Sequence, residues 1–189
     1  MKKRIALFLD KDGTLIKNVP YSVDPKKIVL IPGAGKALRL IQTAGYVPVI
    51  VTNQSGIARG FFSEKDLQPV KNTIKKLLKK NGVNLEGFYF CPHHPRGNVS
   101  PYNIECPCRK PNPGLLTKAA AELGIDLGNS WMVGDMASDI KAGKRAGCKT
   151  ILLSLFSNKK NEEATKSKPL FVAKNFNEVI SIILKPALL

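Results

Sequence analysis

Short runs of consecutive apolar residues alternate along the chain with stretches in which apolar positions recur every three or four residues. Ile5-Ala6-Leu7-Phe8-Leu9 and Val47-Pro48-Val49-Ile50-Val51 have strand length. Leu85 to Phe90, Trp131-Met132-Val133 and Thr150-Ile151-Leu152-Leu153 complete the predicted core strands, with Leu170-Phe171-Val172 as a further candidate. Unbroken apolar runs of this length suit strands covered on both faces, as in a parallel sheet. Between them, Gly33 to Ala44 repeats apolar residues at Ala37, Leu38, Leu40 and Ile41, and Gly45 follows as a stop. Ser63 is placed to cap a long helix, with Glu64 and Asp66 in its first turn and Lys79-Lys80-Asn81-Gly82 at its end. Pro113 to Leu123 and Ala137 to Ala146 also read as helices. The alternation predicts a doubly wound α/β domain, with Ser157 to Lys168 as the only linker-like stretch and no internal repeat. Cys91 to Pro111, rich in Pro, Gly, Cys and His, has no periodicity. A loop of that length inside an α/β domain is expected to be functional.

Composition narrows the class. A chain of 189 residues is expected to form one domain over residues 1–189, and 43% hydrophobic with 23% charged residues argues against disorder. No apolar run approaches the ~20 residues of a membrane-spanning helix. Met1-Lys2-Lys3-Arg4 has the charge of a signal peptide's start, but Ile5 to Leu9 is too short for its apolar core and ends at Asp10. A cytoplasmic location without membrane contact is therefore expected. Thirty Lys plus Arg against 14 Asp plus Glu give a formal charge of +16, which raises nucleic-acid binding as an option. Lys75, Lys76, Lys79 and Lys80 share one predicted helix, and Lys159-Lys160 form a second patch. Aromatic residues are only 7%, and none interleave with these lysines as stacking platforms would. They read as a solvated face, with no nucleic-acid partner.

Three of four cysteines crowd into the aperiodic loop, as Cys91-Pro92-His93 and Cys106-Pro107-Cys108. In a reducing compartment such a cluster is a metal site more often than a pair of disulfides. Three thiolates and one imidazole complete a tetrahedral Zn²⁺ with no position left for water, so the expected role is structural. His94 is the rival ligand, and the symmetry of the spacing favours His93. Cys148 reads as a small buried apolar residue.

In a doubly wound sheet, ligands bind beyond the carboxyl ends of the strands. Four polar segments fall there: Asp10-Lys11-Asp12-Gly13-Thr14, Thr52-Asn53-Gln54-Ser55-Gly56, Arg109-Lys110-Pro111 and Gly134-Asp135-Met136-Ala137-Ser138-Asp139. Paired carboxylates at a strand end can divide nucleophilic and proton-transfer work, and Gly13 lets the chain turn sharply. Hydroxyl, amide and backbone donors after the second strand suit phosphate oxygens. Asp135 is placed for a hard cation, and Asp139, one helical turn on, faces the same way. In this order and placement the segments resemble the haloacid dehalogenase superfamily of phosphohydrolases, from Ile5 to about Leu153.

The resemblance implies a three-layer sheet fold and a set of roles. Asp10 would be the nucleophile forming an aspartyl-phosphate. Asp12 would be the general acid and then the base. Thr52 and Lys110 would hold the phosphoryl oxygens. Mg²⁺ would sit on the Asp10 and Asp135 carboxylates and the Asp12 carbonyl, with Asp139 behind it. Together with the zinc loop at 91–108, the run Thr52 to Gly60 and Cys106-Pro107-Cys108-Arg109-Lys110-Pro111 resemble the D-glycero-D-manno-heptose 1,7-bisphosphate 7-phosphatases. That resemblance implies a small phosphorylated sugar as substrate and a place in nucleotide-activated heptose biosynthesis for surface glycans; the chain is expected to be a monomer. Asn18, Val19, Pro20 and Tyr21, with Thr52, Asn53, Gln54 and Ser55, would contact substrate, and Arg109, beside Lys110, would recognise the second phosphate. Too little chain separates Thr14 from Thr52 for a separate cap domain, so the zinc loop would supply the cover. Met136 departs from the pattern, which has a Lys in contact with substrate. Histidinol-phosphate phosphatase is the alternative, disfavoured by Arg109 facing a cationic amine. A nucleic-acid 3′-phosphatase is the remoter one.

Overall fold

Every second residue of Ile5–Leu9 (β1) turns to the opposite side, and both sides are apolar. Leu7 and Leu9 join one core cluster and Ala6 and Phe8 the other, all without solvent contact. Such a strand is stable only between two helical layers, each large side chain contributing roughly 1.5–3 kcal/mol by its burial. The computed structural model of the chain describes residues 3–155 and 159–184. Tyr46–Asn53 (β2), Gly87–Cys91 (β3), Trp131–Gly134 (β4), Lys149–Leu153 (β5) and Phe171–Ala173 (β6) join β1 in one parallel sheet of order β3-β2-β1-β4-β5-β6. Helices Ala34–Thr43 (α1), Leu67–Lys80 (α2) and Phe176–Leu184 (α6) supply the cluster on one face, and Gly114–Leu123 (α3) with Ala137–Arg145 (α4) pack on the other. This is the expected three-layer, doubly wound α/β fold.

Three elements differ from expectation. The third strand begins at Gly87, and Leu85 packs against the core ahead of it. Ser63 starts a one-turn 3₁₀ helix, its N–H and Oγ both donating to Asp66 Oδ2 at 2.7 and 2.8 Å, before α2 begins. The stretch read as a linker carries a helix, Lys159–Thr165 (α5), tied down by buried Ala164 against Ile140 and Leu152. Ser157 and Asn158, and the side chains of Lys159 and Lys160, lie outside what is described. Lys75, Lys76, Lys79 and Lys80 are all exposed on α2. Among the described residues no helix is long and apolar enough to cross a membrane.

The register decides where chemistry can occur. Leu9 pairs with both Ile50 and Val133, so β1 and β4 finish within one residue of each other, while β2 runs three residues further, to Asn53. The chain reverses direction of progress through the sheet at β1, between β2 and β4. The crevice at that switch point collects whatever residues follow the three strands.

Candidate active site

Asp10 follows β1, its N–H held by Val133 O at 3.0 Å, and Asp135 follows β4. Gly13, at φ +85°, brings the turn after β1 against Asp135. A Cβ there would stand 2.6 Å from Asp135 Oδ2, so glycine is required by both conformation and space. Thr14 Oγ1 donates to Asp135 Oδ1 at 3.3 Å. Asp139, in the first turn of α4, completes a group of three buried carboxylates whose ligand oxygens lie within 4.8 Å of one another.

Lys110 enters this group from the loop before α3. Its Nζ lies 2.6 Å from Asp10 Oδ1, 2.6 Å from Asp139 Oδ1 and 2.8 Å from Val51 O. All three ammonium donors are engaged. Burial alone would pull Lys110 down, but the Asp10 and Asp139 carboxylates outweigh it and hold the ammonium above its ordinary value. Asp139 Oδ2 accepts from Met136 N at 3.0 Å, so both of its oxygens are occupied. Burial drives its carboxyl upward against the pull of Lys110, with Asp10 and Asp135 adding repulsion. Three carboxylates against one ammonium in a buried site call for a further cation, and oxygen donors suit a hard one. Asp10 and Asp135 fit that role, whereas Asp139 is committed to positioning Lys110.

The backbone around Lys110 is fixed from two sides. Asn53 Nδ2 donates to Lys110 O at 3.0 Å while Lys110 N donates to Asn53 Oδ1 at 3.1 Å. Arg145 Nη1 donates to Pro111 O at 3.0 Å and Asn112 Oδ1 at 3.2 Å, tying the segment to α4. Neither clamp is visible as a sequence motif. Asp12 accepts from Gln54 Nε2 at 3.1 Å, and the same amide nitrogen donates to Thr52 Oγ1 at 2.9 Å. Burial pushes the Asp12 carboxyl above its ordinary value; Lys11 opposes this and Asp10 reinforces it.

A cleft of about 370 Å³ opens over these groups, lined by Asp12, Asn18 to Ser22, Asn53 to Gly56, Phe62 and Met136. The four residues Asn18, Val19, Pro20 and Tyr21 and the run Asn53 to Ser55 therefore meet as expected. Tyr21, at φ +52°, packs against Phe61 with ring centroids 4.7 Å apart and the rings tilted at 59°. Lys11 also lines the cleft, though its side chain is almost wholly buried, with Nζ 3.2 Å from Asp12 Oδ2. A residue between two motif aspartates carries no sequence signal of its own. Arg109 is not part of the cleft lining; its Nη1 donates to His93 O at 3.0 Å.

The second convergent group holds Cys91, at the end of β3, with His93, Cys106 and Cys108. The Sγ atoms are 3.3, 2.9 and 3.1 Å apart, and His93 Nδ1 is 3.7 and 3.5 Å from Cys91 and Cys108. At a Zn–S distance of ~2.3 Å a tetrahedral site has S···S edges of about 3.8 Å, so the four donors fit a single zinc with small outward shifts. Hydrogen bonding from Cys91 holds the Cys108 thiol down to about 5, whereas Cys91 and Cys106 are pushed up. Three sulfurs and an imidazole nitrogen are a soft donor set suited to such an ion. His94 stands apart, with Nδ1 accepting from Arg96 N. Cys148 is buried, as expected.

Comparison with known proteins bears on this arrangement directly. The HAD-hydrolase-like family model matches residues 107–179. A D-glycero-β-D-manno-heptose-1,7-bisphosphate 7-phosphatase of Pasteurella multocida is 45% identical over 153 residues, covering 81% of this chain and 82% of its own. The chain belongs to this phosphatase family. A D-glycero-α-D-manno-heptose-1,7-bisphosphate 7-phosphatase of Burkholderia mallei is 40% identical over 153 residues, covering 81% and 80% of the two chains. In structure, the D,D-heptose 1,7-bisphosphate phosphatase of B. bronchiseptica, solved with magnesium and phosphate, superposes with a TM-score of 0.81 at 27% identity. It covers 96% of this chain and 99% of its own. The phosphatase assignment thus agrees with a group of buried carboxylates that could hold a metal ion.

Proposed function

We propose that this phosphatase removes the 7-phosphate of a D-glycero-D-manno-heptose 1,7-bisphosphate through a phosphoryl group carried on Asp10. The observation that carries the proposal is the run of contacts Asp10–Lys110–Asp139 beneath the cleft, 2.6 Å at each step. A carboxylate can approach a phosphate dianion only where positive charge offsets the repulsion, and Lys110 is fixed at that point. Mg²⁺ held by the Asp10 and Asp135 carboxylates and the Asp12 carbonyl would supply the remaining neutralisation. An Asp10 oxygen forms the new bond to phosphorus as the bond to the sugar oxygen breaks, and Asp12 gives that oxygen its proton. A water then attacks phosphorus as Asp12 takes a proton from it, releasing phosphate and regenerating Asp10. The upward displacement of Asp12 favours the protonated form needed in the first half. Thr52, its hydroxyl accepting from Gln54, has its own proton left for a phosphoryl oxygen. Zinc at Cys91, His93, Cys106 and Cys108 would fix the backbone that presents Arg109 and Lys110. The product would feed the making of nucleotide-activated heptose for surface glycans.

The test is phosphate release from a panel: both anomers of the heptose 1,7-bisphosphate, histidinol phosphate, fructose 1,6-bisphosphate and a 3′-phosphorylated oligonucleotide, each with Mg²⁺. Relatives are named for either anomer, so both belong in it. A kcat/KM highest for a heptose bisphosphate supports the reading. Preference for any other member of the panel overturns it.

A further inference from the structure

Beside the cleft lies a cationic cluster that neither the chemistry above nor the zinc set accounts for. Arg59 follows the β2 loop, its N–H bonded to Ser55 O at 3.1 Å, one turn on from the cleft wall. The segment is held against the zinc loop by Ala58 O, which accepts from Asn98 N at 2.7 Å and Val99 N at 3.0 Å. Arg59 Nε is buried and has no hydrogen-bond partner, which no other buried side-chain nitrogen or oxygen among the described residues lacks. A buried donor left unmade costs more than a typical hydrogen bond contributes.

The neighbouring contact is mismatched as well. Arg96 N donates to His94 Nδ1 at 3.1 Å, so the ring proton resides on Nε2. Arg59 Nη2 lies 3.4 Å from that same Nε2, which sets one donor against another. The charges acting on His94 are those of Arg109, Arg59 and Arg96, and no ion pair among the described residues includes any of the three arginines. Arg109 in turn precedes Lys110, which reaches Asp10. The Arg59 guanidinium and the His94 N–H thus face each other short of an acceptor, and Arg109, whose Nη1 is taken by His93 O, adds its charge.

We infer that Arg59 and His94 bind the phosphate that the substrate retains, beside Arg109, the residue already expected to recognise it. The inference rests on the bisphosphate reading and adds to it the segment after β2, joined to the zinc loop. A phosphate oxygen between Arg59 and His94 would accept from both, and guanidinium forks bind phosphate in pairs of hydrogen bonds. The zinc loop then holds the substrate's far end while Lys110 serves its reacting end.

The experiment compares the zinc-loaded wild type with Arg59→Gln and Arg59→Lys on two substrates, the heptose 1,7-bisphosphate and the 7-monophosphate of the same sugar. Loss of hydrogen bonds to a charged group predicts that Arg59→Gln lowers kcat/KM for the bisphosphate about ten- to a hundredfold more than for the monophosphate, chiefly through KM. Arg59→Lys keeps the charge but not the fork and should recover part of that difference. Equal losses on both substrates, or a loss that follows falling zinc content, would overturn the site and leave Arg59 a structural residue. A wild type inactive on both substrates defeats the substrate reading separately. The anion site is then decided by equilibrium dialysis with inorganic phosphate: two bound per chain, one in Arg59→Gln, supports it, and equal stoichiometry overturns it.

Discussion

The carboxylate group under the cleft and the arginine group beside it are close in the chain's folding yet opposite in what they lack. Asp10, Asp135 and Asp139 lie together with a single ammonium, which bridges Asp10 and Asp139, and are short of positive charge. The charges of Arg59, Arg96 and Arg109 act on a single imidazole, and Arg59 Nε is short of an acceptor. Packing explains neither imbalance, because a buried unmatched charge is among the costliest features a fold can carry. Each imbalance describes a ligand by its complement: a hard divalent cation for the first group, a phosphate for the second. On the function proposed above, Mg²⁺ and the phosphate that a bisphosphate retains would complete both at once.

The comparison breaks most severely at its acidic end. Asp10→Asn removes the nucleophile and a metal ligand without removing volume, and turnover should fall on the order of 10⁴-fold or more with far-UV circular dichroism retained. Substantial phosphatase activity in that variant, measured with added Mg²⁺, removes Asp10 from the role. Asp12→Asn should cost about 10²- to 10⁴-fold with a sugar phosphate, whose alkoxide leaves poorly. An activated aryl phosphate needs less help from an acid and should lose less. Equal losses on the two substrates under single-turnover conditions would count against Asp12 as the acid.

The acidic site was also the more legible of the two regions. Asp10, Asp12 and Asp135 stand at strand ends that the apolar runs already mark, with Lys110 just ahead of a readable helix. The sheet order is not fixed by those runs, because right-handed crossovers allow more than one doubly wound order. Arg59 and His94 lie 35 positions apart, and their meeting depends on Ala58 O catching the zinc loop. No local pattern encodes such a tertiary contact. Lys11 and Arg145 were missed for the same reason, since burial of a lysine and a clamp on Pro111 O are visible only after folding. The two terminal helices show the limits of periodicity. α5 buries one alanine in an otherwise polar turn-rich stretch. In α6 the apolar residues Ile180, Ile182, Ile183 and Leu184 run together, so no single face stands out. Its start is held by Asn175 Oδ1, which accepts from Glu178 N at 3.0 Å, while Glu178 Oε2 accepts from Lys174 N at 2.8 Å.

Removing zinc tests the link between the two groups. Cys108→Ala leaves the sheet and its two clusters intact but frees the loop carrying Arg109 and Lys110. About one equivalent of zinc should be lost, helix content should be largely kept, and turnover should fall roughly ten- to a hundredfold, as for loss of a supporting shell. The preference for bisphosphate over monophosphate should narrow in the same variant. Full activity after verified zinc loss would separate the metal from any part in presenting Lys110.

The smallest expected effect concerns the opposite wall. Met136 lines the cleft at 40% exposure and caps α4, with the ring of Phe62 as an apolar neighbour in the lining. Met136→Lys places a cation there, at the positive end of a helix, which should lower stability by about 0.3–1 kcal/mol. If the retained phosphate rests between Arg59 and His94, a new ammonium on this wall meets it only across solvent. The bisphosphate KM should then change by less than about twofold, as for an exposed ion pair. A fall of tenfold in that KM, without a matching change for the monophosphate, would put the retained phosphate against the Met136 wall. The arginine group would then need a different anion to answer its missing acceptor.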